Sequence, residues 1–206
     1  ETPTDLGAAG NFGKADPFTV TFRFTMPEVE ARTVLARRTD PTKKGRGWSV
    51  TWENQGISIE LTESHPNKSL KSGITRRFKA GGSGHFTFTY DGSGSSAGIR
   101  FYSNGEYLAS RFVNQWHDSL TDDFKAEGAS LLVGGKDPVS GLVPSVTEFL
   151  IVDRRLTDEE IKGIASYTAA VAIEKKPVDK RNDKEKEELR RFLATPFDGL
   201  LARRGL

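Results

Sequence analysis

The stretch that most constrains this chain is residues 17–26, PFTVTFRFTM. Phe18, Val20, Phe22, Phe24 and Met26 share one parity; Thr19, Thr21, Arg23 and Thr25 share the other. Successive side chains of a strand point to opposite faces, so this pattern predicts a strand with one face in a core. A helix would split the same phenyl rings between two sides. The alternation returns in WSVTWE at 48–53, through Trp48, Val50 and Trp52, and in ISIELTE at 57–63, through Ile57, Ile59 and Leu61. Asn54-Gln55-Gly56 between them reads as a hairpin turn. Asn104-Gly105, between GIRFYS at 98–103 and EYLASRFV at 106–113, is a strong two-residue turn, because both its positions need positive φ. HFTFTYD at 85–91 places Phe86, Phe88 and Tyr90 on one face. With 33–38, 73–78, 130–134 and 145–152, this makes nine or ten short strands. The fold class that follows is all-β, a jelly-roll-like antiparallel β-sandwich. Its expected core is Phe18, Val20, Phe22, Phe24, Trp48, Val50, Trp52, Ile59, Phe86, Phe88, Phe101, Leu150 and Val152.

The pattern changes after Asp153. Thr157 suits a helix N-cap and Glu160, three residues on, completes a capping box; Asp158 and Glu159 favour the positive helix end. Ile161, Ile164, Ala165 and Thr168 carry the apolar stripe. A second, highly charged helix is expected at 182–194, with Leu189, Phe192 and Leu193 as its stripe. Two segments follow: 1–172, a sandwich with its closing helix, and 173–206, a helical tail or linker to a further domain. The formal charge of +2 resides in the tail, since residues 174–206 carry +3 and the remainder −1.

Composition closes several functional classes. With no Cys, the chain has no disulfide scaffold, no thiol nucleophile and no Cys-held zinc, haem or iron–sulfur site. Three His (His65, His85, His117) argue against a multi-His metal centre. A near-neutral sandwich lacks the electrostatic footprint for nucleic acid. No apolar run approaches the roughly 18 residues of a membrane span. The chain starts at ETPTDLG and reads as a mature or excised piece of a longer protein.

Candidate contacts remain. Trp48 and Trp52 share a face with Val50 and are read as core. Trp116 sits in a polar run, Asn114-Gln115-Trp116-His117-Asp118, read as a loop. Trp116, flanked by His117 and Asp118, is either a ligand contact or a loop anchor on the sandwich edge. Tyr102 and Tyr107 flank the Asn104-Gly105 turn and either line a ligand-bearing sheet or simply cover sheet surface. Asp91, Asp137 and Asp153, with nearby carbonyls, form a candidate calcium site, although no dense calcium loop is present. Glycoside hydrolysis needs two carboxylates flanking one bond. Strand parity puts Glu148 and Asp153 on opposite faces, and Glu60 and Glu63 fail the same test. No Gly-x-Ser-x-Gly elbow is present either, so the chain is read as no enzyme.

In order and spacing, PFTVTFRFTMP at 17–27, RGWSVTWENQGISIEL at 46–61, HFTFTYDGSGSSAGIRFYSNGEYL at 85–108, LLVGG at 131–135 and VTEFLIVDRRLTDEEIKGIA at 146–165 resemble one family. This is the laminin-G-like branch of the concanavalin A-like lectin/glucanase superfamily. Its Tyr-Asp-Gly strand end is similar to Tyr90-Asp91-Gly92, its hairpin to Tyr102-Ser103-Asn104-Gly105, and its final motif to Arg154–Ile161. The resemblance spans about residues 4–172. FVNQWHDSLT at 112–121 and the tail are similar to such domains in large exported bacterial proteins that also carry cytochrome c-type domains. The resemblance implies a concanavalin A-like sandwich with C-terminal helices and an exported, periplasmic or cell-surface location. It also implies a non-catalytic carbohydrate-binding module for a polysaccharide or other glycan, beside other domains of the parent protein. The alternative is a protein-interaction or spacer domain without glycan binding.

Overall fold

The computed structural model describes residues 1–26, 31–53, 55–65, 68–74, 78–79, 81–109, 113–118 and 120–194, with the side chains of 113–118, 193 and 194 excepted. The alternating segment at 18–25 forms β2 (Phe18–Thr25), after a two-residue β1 (Thr4–Asp5). Then follow β3 (Thr33–Asp40), β4 (Arg46–Glu53), β5 (Gly56–Ser64), β6 (Lys68–Ile74), β7 (Ser83–Tyr90), β8 (Ile99–Ser103), β9 (Glu106–Tyr107), β10 (Val113–Asp118), β11 (Leu132–Val133) and β12 (Ser145–Val152). Two antiparallel sheets result: a seven-stranded one in the order β1-β11-β3-β4-β5-β6-β10, and a five-stranded one in the order β12-β2-β7-β8-β9. They form the expected jelly-roll-like sandwich.

The core lies between the sheets. Phe18, Val20, Phe22, Trp48, Val50, Trp52, Ile57, Ile59, Leu61, Phe86, Phe88 and Phe101 are all buried there. At ~1.5–3 kcal/mol per buried large side chain, this layer dominates the stability of the fold. The alternation held wherever ladders run without a break, as in β2 against β7 from Phe18↔Tyr90 to Thr25↔Ser83.

Two core assignments move. In β12 the register shifts between Thr147 and Leu150, and Glu148 there takes φ 51°. The extra residue reverses parity. Phe149 and Ile151 therefore pack on the main core, while Leu150 and Val152 join Tyr102, Leu156 and Ile161 in a second cluster. That cluster sits on the outer face of the five-stranded sheet, beneath α1 (Asp158–Glu174). The parity argument that separated Glu148 from Asp153 does not survive this bulge.

Helix α1 starts as the sequence predicts. Thr157 accepts from the Glu160 N–H, and the Glu160 carboxylate accepts from the Thr157 N–H. Arg154 grips the same carboxylate through both guanidinium ends, at 2.9 and 2.7 Å. The Tyr102 hydroxyl donates to Asp158 at 2.8 Å, tying the first helical turn to β8. The charged helix α2 (Asp183–Ala194) packs back on α1 through Tyr167 and Phe192, and its Glu185 pairs with Lys176 just beyond the end of α1. Residues 195–206 lie outside the described residues. Among the described residues, no helix is long and apolar enough to cross a membrane.

Candidate functional site

The two sheets present very different outer faces. On the five-stranded sheet, α1 packs over β7 and β9 and buries the apolar cluster around Tyr102. On the seven-stranded sheet, alternation gives the outer parity to Ser49, Thr51 and Glu53 of β4, to Ser58, Glu60 and Thr62 of β5 and to Ser69 and Lys71 of β6; Thr51, Ser58, Thr62 and Ser69 are buried, whereas Ser49, Glu53, Glu60 and Lys71 are half-buried. The register aligns them into rows. One row runs Arg37, Ser49, Glu60, Lys71 and the backbone of His117; the next runs Val34, Thr51, Ser58, Gly73 and the backbone of Asn114. Within this face Lys71 Nζ lies 2.7 Å from Glu53 Oε1, which also accepts from the Ser58 hydroxyl at 2.7 Å. Burial opposes the charge of Glu53, but hydrogen bonds from Lys71 and Ser58 outweigh it and hold its pKa below the usual carboxylate range. His65 Nε2 lies 3.5 Å from Glu60 Oε1.

At one end of this sheet is an open cleft of about 690 Å³, lined by Thr42, Lys43, Lys44, Arg46, Glu63, Ser64, Asp123, Lys125 and Glu127. Three chain segments meet here, and hydrogen bonds fix them. Glu63 at the end of β5 accepts from the N–H groups of Thr121 and Asp122 and from the Thr121 hydroxyl, at 2.9–3.1 Å. Its other oxygen accepts from Lys68 at 3.0 Å. Burial works against this carboxylate, yet these donors pull its pKa down to about 2. Asp123 Oδ1 accepts from the Lys14 and Phe124 N–H groups, and Arg46 donates to the Asp123 carbonyl at 3.0 Å. In the β3–β4 turn Lys44 adopts φ 54°, a left-handed conformation that favours glycine.

The sequence-derived candidates scatter over the molecule. Tyr102 is 1% exposed and held under α1, so it cannot meet a ligand. Tyr107 is 49% exposed; Arg100 lies over its ring at 5.8 Å. Residues 114–118, expected to be a loop, form with Val113 the edge strand β10, with a register shift between Gln115 and His117 that leaves Trp116 as the bulged residue. With Val113 and Trp116 three apart among polar residues, the strand carries no period-two signal, which is why 114–118 read as a loop. The side chains of Trp116, His117 and Asp118 lie outside the described residues.

The three aspartates do not form a metal site. Asp137 is buried with its oxygens turned to the N–H groups of Val34, Val139 and Ser140, each at 2.9 Å. Asp91 caps its own turn at Ser93 N, while Asp153 is exposed at the end of β12. Among the described residues, no three His, Asp or Glu side chains gather to hold a metal ion. Asp91 and Asp137 instead spend carboxylate oxygens on backbone N–H groups, within their own turns and, for Asp137, also on the distant Val34. Sequence reasoning also missed Lys44 and Arg46. The signal was present in the basic, glycine-spaced turn Lys43-Lys44-Gly45-Arg46-Gly47, but its other wall comes from residues 121–127.

Comparison with known proteins supports the architecture. The Laminin_G_3 family model, of the concanavalin A-like lectin/glucanases superfamily, matches residues 3–162. The chain therefore belongs to the concanavalin A-like lectin/glucanases superfamily. No curated protein matches it. Among solved structures, it is similar to the binding domain of Paraclostridial Mosquitocidal Protein 1 (13% identity, TM-score 0.59, 80% of this chain and 41% of that one). The botulinum neurotoxin serotype D ligand-binding domain, solved in complex with N-acetylneuraminic acid, gives 13% identity and TM-score 0.59 over 80% of this chain and 40% of that one. The CBM40 of a Ruminococcus gnavus IT-sialidase, bound to α2,3 sialyllactose, gives 15% identity and TM-score 0.53 over 80% and 94%. The chain thus spans well under half of each toxin binding domain. At these identities the likeness is one of fold.

Proposed function

We propose that this chain is a non-catalytic, lectin-like carbohydrate-binding module of a larger exported protein. One observation carries the reading: helix α1 covers the outer face of the five-stranded sheet, while that of the seven-stranded sheet carries the half-buried Ser49, Glu60 and Lys71 in register, with Glu53 paired to Lys71. Such a face offers both donors and acceptors to sugar hydroxyls. Solved relatives of the same fold are binding domains, two of them with sialic acid or sialyllactose, which supports a binding over a catalytic role. Trp116, His117 and Asp118 on β10 border this face and are its proposed edge contacts; exposed Tyr107 is a further, separate candidate. We read residues 1–172 as the module and 173–206 as the helical tail or linker. A parent protein with cytochrome c-type domains and other partner domains belongs to this proposal.

The test is a glycan array with the full chain, followed by calorimetry on any hit. Binding that weakens at least tenfold in Trp116→Ala and Lys71→Ala supports the module. Binding to no glycan overturns it in favour of a protein-interaction or spacer domain.

A further inference from the structure

We propose that the cleft between the β3–β4 turn and residues 121–127 binds an anionic sugar, one bearing a carboxylate or sulfate. This rests on the carbohydrate-binding reading and assigns its ligand class. After pairing with residues outside the lining, its remaining charges are the cations Lys44 and Arg46 and the anions Asp123 and Glu127. Lys43 pairs with Asp40 and Lys125 with Asp16, both outside the lining. Among the described residues, Lys44 and Arg46 have no carboxylate at ion-pair distance. The third carboxylate of the lining, Glu63, is buried and already occupied by Lys68 and three N–H or O–H donors.

A second observation is conformational. Lys44 holds φ 54° and is followed by Gly45 at 72°. Glycine is the residue of least strain at such a position, and lysine there accepts strain to present an ammonium group. The turn is fixed around it, since Gly45 N–H donates to Asp40 and His65 N–H donates to the Lys44 carbonyl.

The mixed lining discriminates between ligands. Asp123 and Glu127 would repel a bare phosphate or sulfate ion, while they can accept hydroxyls of a sugar whose acid group lies against Lys44 and Arg46. The volume of about 690 Å³ fits the ~300–1,000 Å³ of ligand clefts.

The experiment is calorimetric titration of the full chain with polygalacturonate, dextran sulfate and neutral dextran, alongside the glycan array. Lys44→Gly suits the left-handed backbone, so it removes the charge without threatening the fold; Arg46→Gln removes the second. Lys180→Gln, on the exposed tail, controls for unspecific attraction. The expected result is binding of polygalacturonate or dextran sulfate, at least tenfold weaker in Lys44→Gly and Arg46→Gln and unchanged in Lys180→Gln. Whichever polymer binds identifies the oxyanion. Saccharide binding indifferent to Lys44→Gly and Arg46→Gln, or lost equally in Lys180→Gln, overturns this proposal and leaves the module reading intact. Binding to no saccharide, neutral or anionic, overturns both.

Discussion

Replacing Glu63 by Gln tests the clamp that builds the cleft. The carboxylate takes four donors: Lys68 Nζ, the Thr121 and Asp122 N–H groups and the Thr121 hydroxyl. Gln keeps one acceptor and sets an NH2 group against donors. The carboxyl falls from 4.5 to about 2 on folding. At about 1.4 kcal/mol per pK unit this is roughly 3 kcal/mol of stability at neutral pH. Water in the adjoining cleft screens the charge, so about 2 kcal/mol is the expected loss. For a chain of this size that lowers Tm by about 4–8 °C. The sign follows from the depressed pKa. The contribution is complete above the unfolded value of 4.5 and disappears as pH falls towards 2. Urea denaturation of wild type and Glu63→Gln at neutral pH and again near pH 2.5 reads the difference directly. A loss below about 0.5 kcal/mol at neutral pH, or one that persists unchanged in acid, would refute the clamp.

Three further outcomes follow from the fold. His85 is buried beside Thr21, and burial, reinforced by Arg23, pushes its pKa down to about 4. Between 6.5 and 4 the unfolded chain takes a proton that the folded chain refuses, so stability falls with pH by about 1.4 kcal/mol per unit; His85→Gln should flatten urea midpoints between pH 7 and 5. A Cβ on Gly47, at φ 133°, would stand 1.9 Å from the Arg38 carbonyl oxygen, so Gly47→Ala should cost at least about 3 kcal/mol by denaturant titration, or prevent soluble expression. Burial and the hydrogen bond to Asp158 push the Tyr102 phenol up to about 12. Tyr102→Phe should cost about 1–2 kcal/mol and speed hydrogen exchange in the first turn of α1, with little effect on the seven-stranded sheet.

What the sequence revealed depended on whether a signal was local. Phe18 to Phe24 and Trp48 to Trp52 announce their strands because each is an uninterrupted ladder against a dry core. The Thr157–Glu160 box was equally plain, since all its partners lie within three residues. Leu150 and Val152 were misplaced by a single extra residue at Glu148, which period-two counting cannot detect. Tyr102 was mistaken for a surface residue because α1, more than fifty residues later, covers it. The cleft was less legible still: Glu63 acquires its role only when Thr121 and Asp122 arrive from across the chain.

The shift that displaced Leu150 has a counterpart at the other end of the molecule. Among the described residues, four strands border the two sheets: β1 and β9, of two residues each, and the longer β10 and β12. Both long ones break register midway, β10 at Trp116 and β12 at Glu148, so neither holds an unbroken run of more than three ladder positions. An incoming strand would find its hydrogen bonds thrown out of step before a stable ribbon could form. Many copies can therefore crowd side by side without zipping into a shared sheet.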